Sequence, residues 1–211
     1  MKPKLQIALD DVTLTETMTL LEKVKDVIDI IEVGTPFMMQ YGMEAVKTIK
    51  AAYPSLEVLC DAKIMDGGAL EADITFQAGA DYVTVLGVTD DLTIQDCVKS
   101  AKQAGRKVVV DMICVSDLRK RVETMEALGV DVIAIHTGLD QQAVGRTPLD
   151  DLKETRQYVK HTALAVAGGI NLDTIEEYMK YEPEIIIVGG GIVRADDPVA
   201  AATALAAKMH A

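Results

Sequence analysis

Five apolar segments of this chain end in ionisable side chains, and these residues are the candidates for chemistry. In chain order they are Asp10, Glu32, Asp61 with Lys63, Asp111 and His136. A charge surrounded by apolar neighbours is costly unless it meets a partner or a ligand. The recurrence therefore predicts that these side chains converge on one site.

The densest part of this set is the segment 61–66, DAKIMD. Alternation along a strand places Asp61 and Lys63 on the same, inward side, with Asp66 in the loop just beyond. Two carboxylates flanking an ammonium would hold Lys63 charged and fix its position. The same spacing also fits a structural ion pair, with Asp66 capping the helix that follows.

Glu32 ends the apolar segment that precedes the one carrying Asp61. Adjacent carboxylates repel each other unless a cation lies between them, and a site of hard oxygen ligands suits Mg²⁺ or Mn²⁺. The pattern predicts a divalent-cation site, and a structural pair of Glu32 with Lys63 is the alternative. Asp10 either joins this site or caps the first helix.

His136 is the histidine that ends an apolar segment, IAIH. A lone histidine is often a satisfied core residue, but a position at a strand end favours a role in proton transfer. His161 and His210 fall in helical or terminal contexts, so we expect them at the surface.

Glycines cluster after the last two apolar segments, as Gly168-Gly169 and as 189–191. Glycine lets backbone N–H groups approach an anion closely, so these positions predict a phosphate site, with Gly168, Gly169, Gly190 and Gly191 as candidates. Tight turns without a ligand are the alternative.

The elements that must position these groups are eight nearly continuous apolar runs, as expected for parallel strands buried on both faces. They cover 5–10, 28–34, 57–63, 82–88, 107–113, 130–138, 163–170 and 184–192. Between them lie eight helical stretches, clearest at 68–78, 92–104 and 116–128, and each of these three is followed by a glycine. The last is expected to begin at an N-cap, Ser116.

Eight strand–helix units fit either an open doubly wound sheet or a closed barrel. The first strand–helix turn lacks the glycine fingerprint of the open sheet, and the glycines crowd strands seven and eight instead. The pattern therefore predicts a (β/α)₈ TIM barrel, one catalytic domain over 1–211, with its active groups at the C-terminal strand ends.

The composition of the 211 residues excludes several classes of protein. A formal net charge of −12 without a basic cluster argues against nucleic acid and an anionic membrane surface as partners. The N-terminal segment lacks the long apolar stretch of a signal peptide, which predicts a cytoplasmic protein. Cys60, Cys97 and Cys114 fit neither a zinc site nor a disulfide framework, so we expect buried free thiols.

With these motifs placed, the whole chain resembles the orotidine-monophosphate decarboxylase superfamily, a family of ribulose-phosphate-binding barrels. More narrowly, it resembles the branch that contains 3-hexulose-6-phosphate synthase and 3-keto-L-gulonate-6-phosphate decarboxylase. The resemblance rests on LQIALD (5–10), IIEVGTP (30–36), DAKIMDGG (61–68), ADYVTVLG (80–87), HTGLDQQ (136–142), AVAGGI (165–170) and IIVGGGI (186–192).

The resemblance implies a metal-assisted enediolate reaction on a sugar phosphate. Glu32 and Asp61 would bind Mg²⁺ or Mn²⁺, which would chelate substrate oxygens, and Lys63 would donate to the developing enediolate. Asp66 would reach across an interface into the partner's site, so the active unit would be a homodimer.

The remaining candidates also receive roles from the resemblance. His136 would move protons at the reacting carbon, with Asp111 orienting it or relaying protons, and Asp10 would bind substrate hydroxyls. The phosphate would be held by backbone groups at Gly169, Gly190 and Gly191. The polar segment 137–148 is interpreted either as a lid, from which Arg146 reaches the phosphate, or as an ordinary surface loop.

Three positions discriminate within the branch. The decarboxylase pattern has arginine, glutamate and arginine where this chain has Leu139, Asp111 and Gly191, whereas the synthase pattern HTGLDQQ stands intact at 136–142. The implied reaction is the reversible aldol addition of formaldehyde to D-ribulose 5-phosphate. The decarboxylase, a non-catalytic sugar-phosphate sensor and a phosphate-binding isomerase of amino-acid biosynthesis are the alternatives.

Overall fold

The computed structural model describes residues 2–210 and contains a closed barrel of eight parallel strands in chain order. Each strand pairs with the next, and β8 pairs with β1. The strands are β1 Lys4–Leu9, β2 Ile30–Val33, β3 Glu57–Ile64, β4 Tyr82–Leu86, β5 Lys107–Asp111, β6 Val132–His136, β7 Ala163–Ala167 and β8 Ile185–Val188. The predicted (β/α)₈ barrel is thus confirmed, and every predicted apolar run contains or largely overlaps one strand.

Eleven helices, rather than eight, occur within residues 2–210, because the connections after β2, β6 and β8 each hold two. They are α1 Leu14–Val24, α2 Thr35–Tyr41, α3 Met43–Ala52, α4 Gly68–Gln77, α5 Asp91–Ala104, α6 Leu118–Leu128, α7 Leu139–Ala143, α8 Leu149–Arg156, α9 Ile175–Met179, α10 Gly190–Val193 and α11 Pro198–Met209. Among these helices, none combines the length and the apolar character needed to cross a membrane.

The N-cap expected for α6 was wrong, and the alternative that Asp10 caps the first helix is excluded. The N-cap of α6 is Asp117 rather than Ser116, because the Asp117 carboxylate reaches the N–H of Lys120 at 3.0 Å. Helix α1 is capped by a capping box of Thr13 and Glu16, so Asp10 does not cap it. Two of the three predicted stops, after α5 and α6, are left-handed glycine caps.

Apolar packing is divided between two layers. The larger layer lies between the strands and the surrounding helices, and eight further buried residues fill the inside of the barrel: Ile30, Leu59, Tyr82, Val109, Val132, Ala134, Ala165 and Ile185. The barrel interior is therefore a packed core rather than a channel, and the polar side chains are left to the C-terminal strand ends.

At the opposite end of the barrel, four carboxylates repeat one arrangement. Each of these residues lies immediately before an even-numbered strand. Its carboxylate accepts a hydrogen bond of 2.7–2.9 Å from a backbone N–H of the odd-numbered strand before it, and the donor is always the second residue of that strand. We call them the entry carboxylates: Asp29 on Leu5, Asp81 on Val58, Asp131 on Val108 and Glu184 on Leu164. The backbone N–H of each donates to the carbonyl of the same partner residue, so each strand pair is joined twice at its start.

The cysteines depart from expectation at one position. Cys60 and Cys97 are buried free thiols, as predicted, but Cys114 is exposed. It lies in the loop after β5, outside the packed layers, and has a left-handed backbone, φ 61°.

Candidate active site

Lys63 lies among carboxylates at the end of β3. Its Nζ contacts Oδ2 of Asp61 and lies 3.5 Å from Oδ2 of Asp111, which ends β5. Burial alone would lower the pKa of Lys63, but the charges of Asp61 and Asp111 outweigh burial and raise it. Lys63 is therefore a fixed cation.

The second carboxylate beside Lys63 is that of Asp111. We had expected Asp66 to flank this ammonium together with Asp61, and within the described chain this expectation was wrong. Asp66 is exposed, and its Oδ1 accepts a hydrogen bond of 2.7 Å from the next backbone N–H, that of Gly67. It does not cap α4 either, because the N-cap of α4 is Gly67, without a side-chain hydrogen bond. After a register shift between Cys60 and Ile64, β3 pairs with β4 once more at Ile64 and then ends, so Asp66 lies beyond the strand.

Asp61 is buried and accepts hydrogen bonds on both carboxylate oxygens. The hydroxyl of Thr84 donates to Oδ1 at 2.8 Å, and the single hydroxyl proton of Thr35 is shared between Oδ2 at 2.8 Å and the Asp61 carbonyl oxygen at 2.7 Å. Because Lys63 also contacts Oδ2, three donors orient this carboxylate. Such donors stabilise the charged form.

Glu32 is buried in β2, and the amide of Gln6 donates to its Oε2 at 2.6 Å. Burial, followed by the charge of Asp61, raises the pKa of Glu32 to about 8. Two buried carboxylates that repel each other have the chemistry of a divalent-cation site. Within residues 2–210 no three or more acidic, histidine or cysteine side chains are arranged so that they could together hold a metal ion, so a cation would take its other ligands from water or substrate.

His136 and Asp111 form a hydrogen-bonded pair at the ends of β6 and β5. His136 Nδ1 lies 2.9 Å from Oδ2 of Asp111, and the N–H of Ile113 donates to Oδ1 at 2.9 Å. Burial would raise the pKa of Asp111, but the hydrogen bond and charge of His136 and the charge of Lys63 lower it. An ionised Asp111 favours the tautomer with the proton on Nδ1, which leaves Nε2 as a proton acceptor.

Asp10 lies just past β1, at the same end of the barrel. Burial, followed by the charge of Asp61, raises its pKa, while the charges of Lys63, His136 and Arg194 lower it. The Oδ1 atom of Asp10 would lie only 2.1 Å from a Cβ at position 34, so Gly34 is required for space. Asp10 is therefore packed into the site rather than used as a helix cap.

The glycines after β7 and β8 divide into two kinds. Gly168 and Gly191 allow close approach of backbone, because a Cβ would lie 2.7 Å from the carbonyl oxygen of Thr137 and 2.4 Å from that of Ile170, respectively. Gly169 and Gly190 are exposed. Both the tight-turn interpretation and the anion-site interpretation are consistent with these positions.

Two polar side chains lie beside the exposed glycines and were not among the predicted residues. A Cβ at Gly169 would lie 3.3 Å from Oε1 of Gln142, and a Cβ at Gly190 would lie 3.2 Å from Nε of Arg194. Arg194 follows Gly190 by one helical turn, and this spacing is the sequence signal that could have identified it.

The segment 137–148 is a folded connection that contains α7 rather than an irregular loop. Gln142 of α7 donates to the carbonyl of Thr137 at 2.7 Å, whereas Arg146 is exposed. His161 and His210 are exposed, as predicted.

Three uncharged residues of the site were missed: Gln6, Thr35 and Thr84. Gln6 and Thr84 are the polar residues inside the apolar segments LQIAL and YVTVL, and Thr35 directly follows β2 and Gly34. A polar residue at an inward position of a barrel strand is the signal that could have identified Gln6 and Thr84.

Comparisons with known proteins place the chain among barrels of closely similar length. The family model described as Orotidine 5'-phosphate decarboxylase / HUMPS family matches residues 3–205. A protein named 3-hexulose-6-phosphate synthase from Bacillus subtilis (strain 168) is 47% identical over 194 residues, which cover 92% of each chain. A protein named 3-hexulose-6-phosphate synthase 3 from Staphylococcus saprophyticus is 44% identical over 95% of this chain and 96% of that relative.

Solved structures of proteins with similar names also match this chain over nearly its full length. The crystal structure of 3-hexulose-6-phosphate synthase from Salmonella typhimurium superposes with a TM-score of 0.96 at 53% identity and covers 98% of both chains. That of 3-keto-L-gulonate-6-phosphate decarboxylase from Vibrio cholerae superposes with a TM-score of 0.87 at 28% identity, covering 100% of this chain and 98% of the other. The chain is more similar to this synthase than to this decarboxylase.

Proposed function

The chain belongs to the Orotidine 5'-phosphate decarboxylase / HUMPS family, and we propose that within it the chain acts as a 3-hexulose-6-phosphate synthase. The reaction is the reversible aldol addition of formaldehyde to D-ribulose 5-phosphate, which gives D-arabino-hex-3-ulose 6-phosphate. Relatives that carry this name at 44–47% identity over nearly the full chain support the assignment.

The observation that carries the mechanism is the continuous contact chain His136–Asp111–Lys63–Asp61 at one end of the barrel. It places a proton acceptor and a fixed cation beside one buried carboxylate, Asp111, with His136 Nδ1 and Lys63 Nζ both next to its Oδ2. Removal of a proton from carbon next to a carbonyl needs both, because the base takes the proton while the cation stabilises the negative charge that develops on oxygen.

Each step of the aldol addition can then be assigned to a residue of this chain. His136 Nε2 takes the proton from C1 of the sugar phosphate, and Lys63 Nζ donates to the oxygen of the enediolate. The C1 carbon attacks the carbon of formaldehyde, and the formaldehyde oxygen receives the proton from His136. No electrons are gained or lost overall, so the reaction needs no redox cofactor.

Glu32 and Asp61 are the residues that would hold Mg²⁺ or Mn²⁺, since their buried carboxylates repel each other and the pKa of Glu32 is raised to about 8. Such a cation, when bound, would neutralise negative charge on the two substrate oxygens next to the reacting carbon. Asp10, in this interpretation, accepts hydrogen bonds from substrate hydroxyls.

The phosphate is assigned to the end formed by β7 and β8. Gly190 and Gly191 begin α10, where backbone N–H groups lack intrahelical acceptors, and exposed Gly169 lies at the neighbouring strand end. Arg194 adds a guanidinium beside Gly190. Because four carboxylates line the site, this cation would offset their repulsion of a phosphate dianion.

A homodimer is supported by an exposed apolar surface around Asp66. Large apolar side chains are exposed on the segment before α4, on α4 itself, on the connection into α5 and in the first turn of α5: Met65, Leu70, Ile74, Val88 and Leu92. Large exposed apolar side chains on elements that pack together, as α4 and α5 do, are typical of interfaces. We infer that a second copy covers it and that Asp66 extends into the partner's site.

Asp66 can be tested by subunit complementation. Asp66→Ala and His136→Ala are each expected to inactivate the homodimer. If Asp66 acts across the interface, mixed and re-equilibrated subunits regain about a quarter of wild-type activity, because half of the dimers are hybrids with one intact site. Mixtures that stay inactive would show that Asp66 acts within its own subunit or not at all.

The function is tested by measuring formaldehyde consumption with ribulose 5-phosphate, with and without Mg²⁺, for wild type and Asp61→Ala. We expect cation-dependent consumption by the wild type that is lost in the variant. Release of carbon dioxide from 3-keto-L-gulonate 6-phosphate at a higher rate than any formaldehyde condensation would instead assign the decarboxylase activity. Bound metal with no turnover in either assay would assign a sensor.

A further inference from the structure

Lys63 has an unusual backbone for a residue inside a strand. Its φ is 48°, in the left-handed region, where a non-glycine residue is disfavoured. The register between β3 and β4 shifts between Cys60 and Ile64, so regular strand pairing does not impose this conformation. Another interaction must hold it.

The interaction that holds this backbone comes from Thr84 of β4. Its Oγ1 accepts a hydrogen bond of 2.9 Å from the backbone N–H of Lys63 and lies 2.8 Å from Oδ1 of Asp61. The direction is fixed, because the amide is the donor to the hydroxyl and the single hydroxyl proton is then free for the carboxylate. Thr84 is buried, so water does not replace either bond.

The two bonds close a ring that includes the catalytic ammonium. Asp61 accepts from Thr84 on Oδ1 and contacts Nζ of Lys63 on Oδ2, and the Lys63 backbone returns to Thr84. One hydroxyl therefore links the start of the lysine side chain to the carboxylate that binds its end. The ring fixes where Nζ stands relative to Asp61 and, 3.5 Å away, Asp111.

We propose that Thr84 is a positioning residue for this reaction: its hydroxyl holds the left-handed backbone of Lys63 and thereby fixes the ammonium for the enediolate. The proposal rests on the proposed function, which assigns the ammonium its role. Asp61 keeps its contacts with Thr35 and Lys63 on Oδ2 when the Thr84 hydroxyl is removed, so the carboxylate is not left without partners.

The test compares Thr84→Val, which keeps the shape and removes the hydroxyl, with Thr84→Ser, which restores the hydroxyl. We expect Thr84→Val to lower kcat by about 100-fold with KM changed less than about threefold, since small displacements of a reacting group have effects of this order. Thr84→Ser should recover most of kcat. Thr155→Val is the matched control, because Thr155 is a buried threonine of α8 whose hydroxyl has no hydrogen-bond partner in the described chain.

Amide hydrogen exchange at Lys63 provides a readout independent of activity. Thr84→Val should accelerate exchange of this amide by at least about tenfold, and Thr84→Ser should not, because only valine removes the acceptor. Unchanged exchange in Thr84→Val, or a kcat loss that Thr84→Ser does not recover, would overturn the proposal. If the wild type fails to consume formaldehyde, the proposed function fails, and the same variants are then compared in the decarboxylase assay.

Discussion

Replacement of Glu32 by glutamine should change how stability depends on pH. Burial and the carboxylate of Asp61 raise the pKa of Glu32 from 4.5 to about 8, with Asp10 adding to the increase and Lys63 opposing it. Between these two pH values the unfolded chain releases a proton that the folded metal-free protein keeps. The wild type therefore loses stability as pH rises through this range, because its folded state binds more protons.

The magnitude follows from the displacement of the pKa. At 1.36 kcal/mol per pKa unit, a rise from 4.5 to about 8 corresponds to about 5 kcal/mol once the pH is above both values, and most of this loss falls between about pH 5 and about pH 8. Glutamine carries no charge at any pH and can still accept the hydrogen bond from Gln6. Glu32→Gln should therefore be more stable than the wild type near the upper end of this pH range, and similar in stability to the wild type near its lower end.

The assay is urea unfolding with a chelator present, at about pH 5 and about pH 8, followed by circular dichroism. Glu154→Gln removes the same charge from an exposed position of α8 and serves as the control. We expect the control to follow the wild type at both pH values. Mg²⁺ should stabilise the wild type more than Glu32→Gln at the higher pH, since only the wild type can offer the carboxylate.

Parallel loss of stability in the wild type and Glu32→Gln between the two pH values would refute this reasoning. It would mean that Glu32 is ionised in the folded metal-free protein and that its charge is compensated by neighbours. A Glu32→Gln variant that is less stable than the wild type at about pH 8 would refute it more strongly, because the ionised carboxylate would then be a stabilising group.

Four further predictions concern other residues. Arg194→Ala should raise KM for ribulose 5-phosphate by about tenfold or more in steady-state kinetics, as expected for loss of an ionic hydrogen bond, and should leave KM for formaldehyde unchanged. Arg146→Ala, if its guanidinium does not reach the phosphate, should leave both values unchanged. Asp111→Asn should lower kcat by about 100-fold or more because the His136 tautomer is no longer fixed, and measured kcat near the wild-type value would contradict this role. Asp131→Ala should cost about 1–2 kcal/mol in urea unfolding, by loss of its bond to the Val108 N–H, without changing kcat.

The barrel was predictable from the sequence because its strands are buried on both faces. Two-sided burial produces nearly continuous apolar runs, and the end of each run marked the place where Asp61, Asp111 and His136 meet. The helices were predicted less completely, because short segments such as α7 and α10 hold too few residues to show a helical period.

The contacts between residues of the site were less predictable from the sequence than the identity of its charged residues. Asp66 is near Lys63 in sequence but lies exposed beyond the end of β3, whereas Asp111 comes from β5, a strand that is not adjacent to β3. Thr84 carries no charge and is one hydroxyl within an apolar strand. Its role depends on the left-handed backbone of Lys63, which no local pattern predicts.

The entry carboxylates divide the barrel into four modules of two strands each, far from the chemistry. Every one of these bonds joins an odd-numbered strand to the even-numbered strand that follows it in the chain. A circular permutant opened between β2 and β3 keeps all four modules as continuous pieces of chain. A permutant opened between β1 and β2 separates Asp29 from Leu5 by nearly the whole polypeptide. Its first module therefore forms late in folding, because joining its two strands requires closure of a long loop. The positions of these acids therefore define where the polypeptide can be cut and rejoined with the least effect on its folding rate.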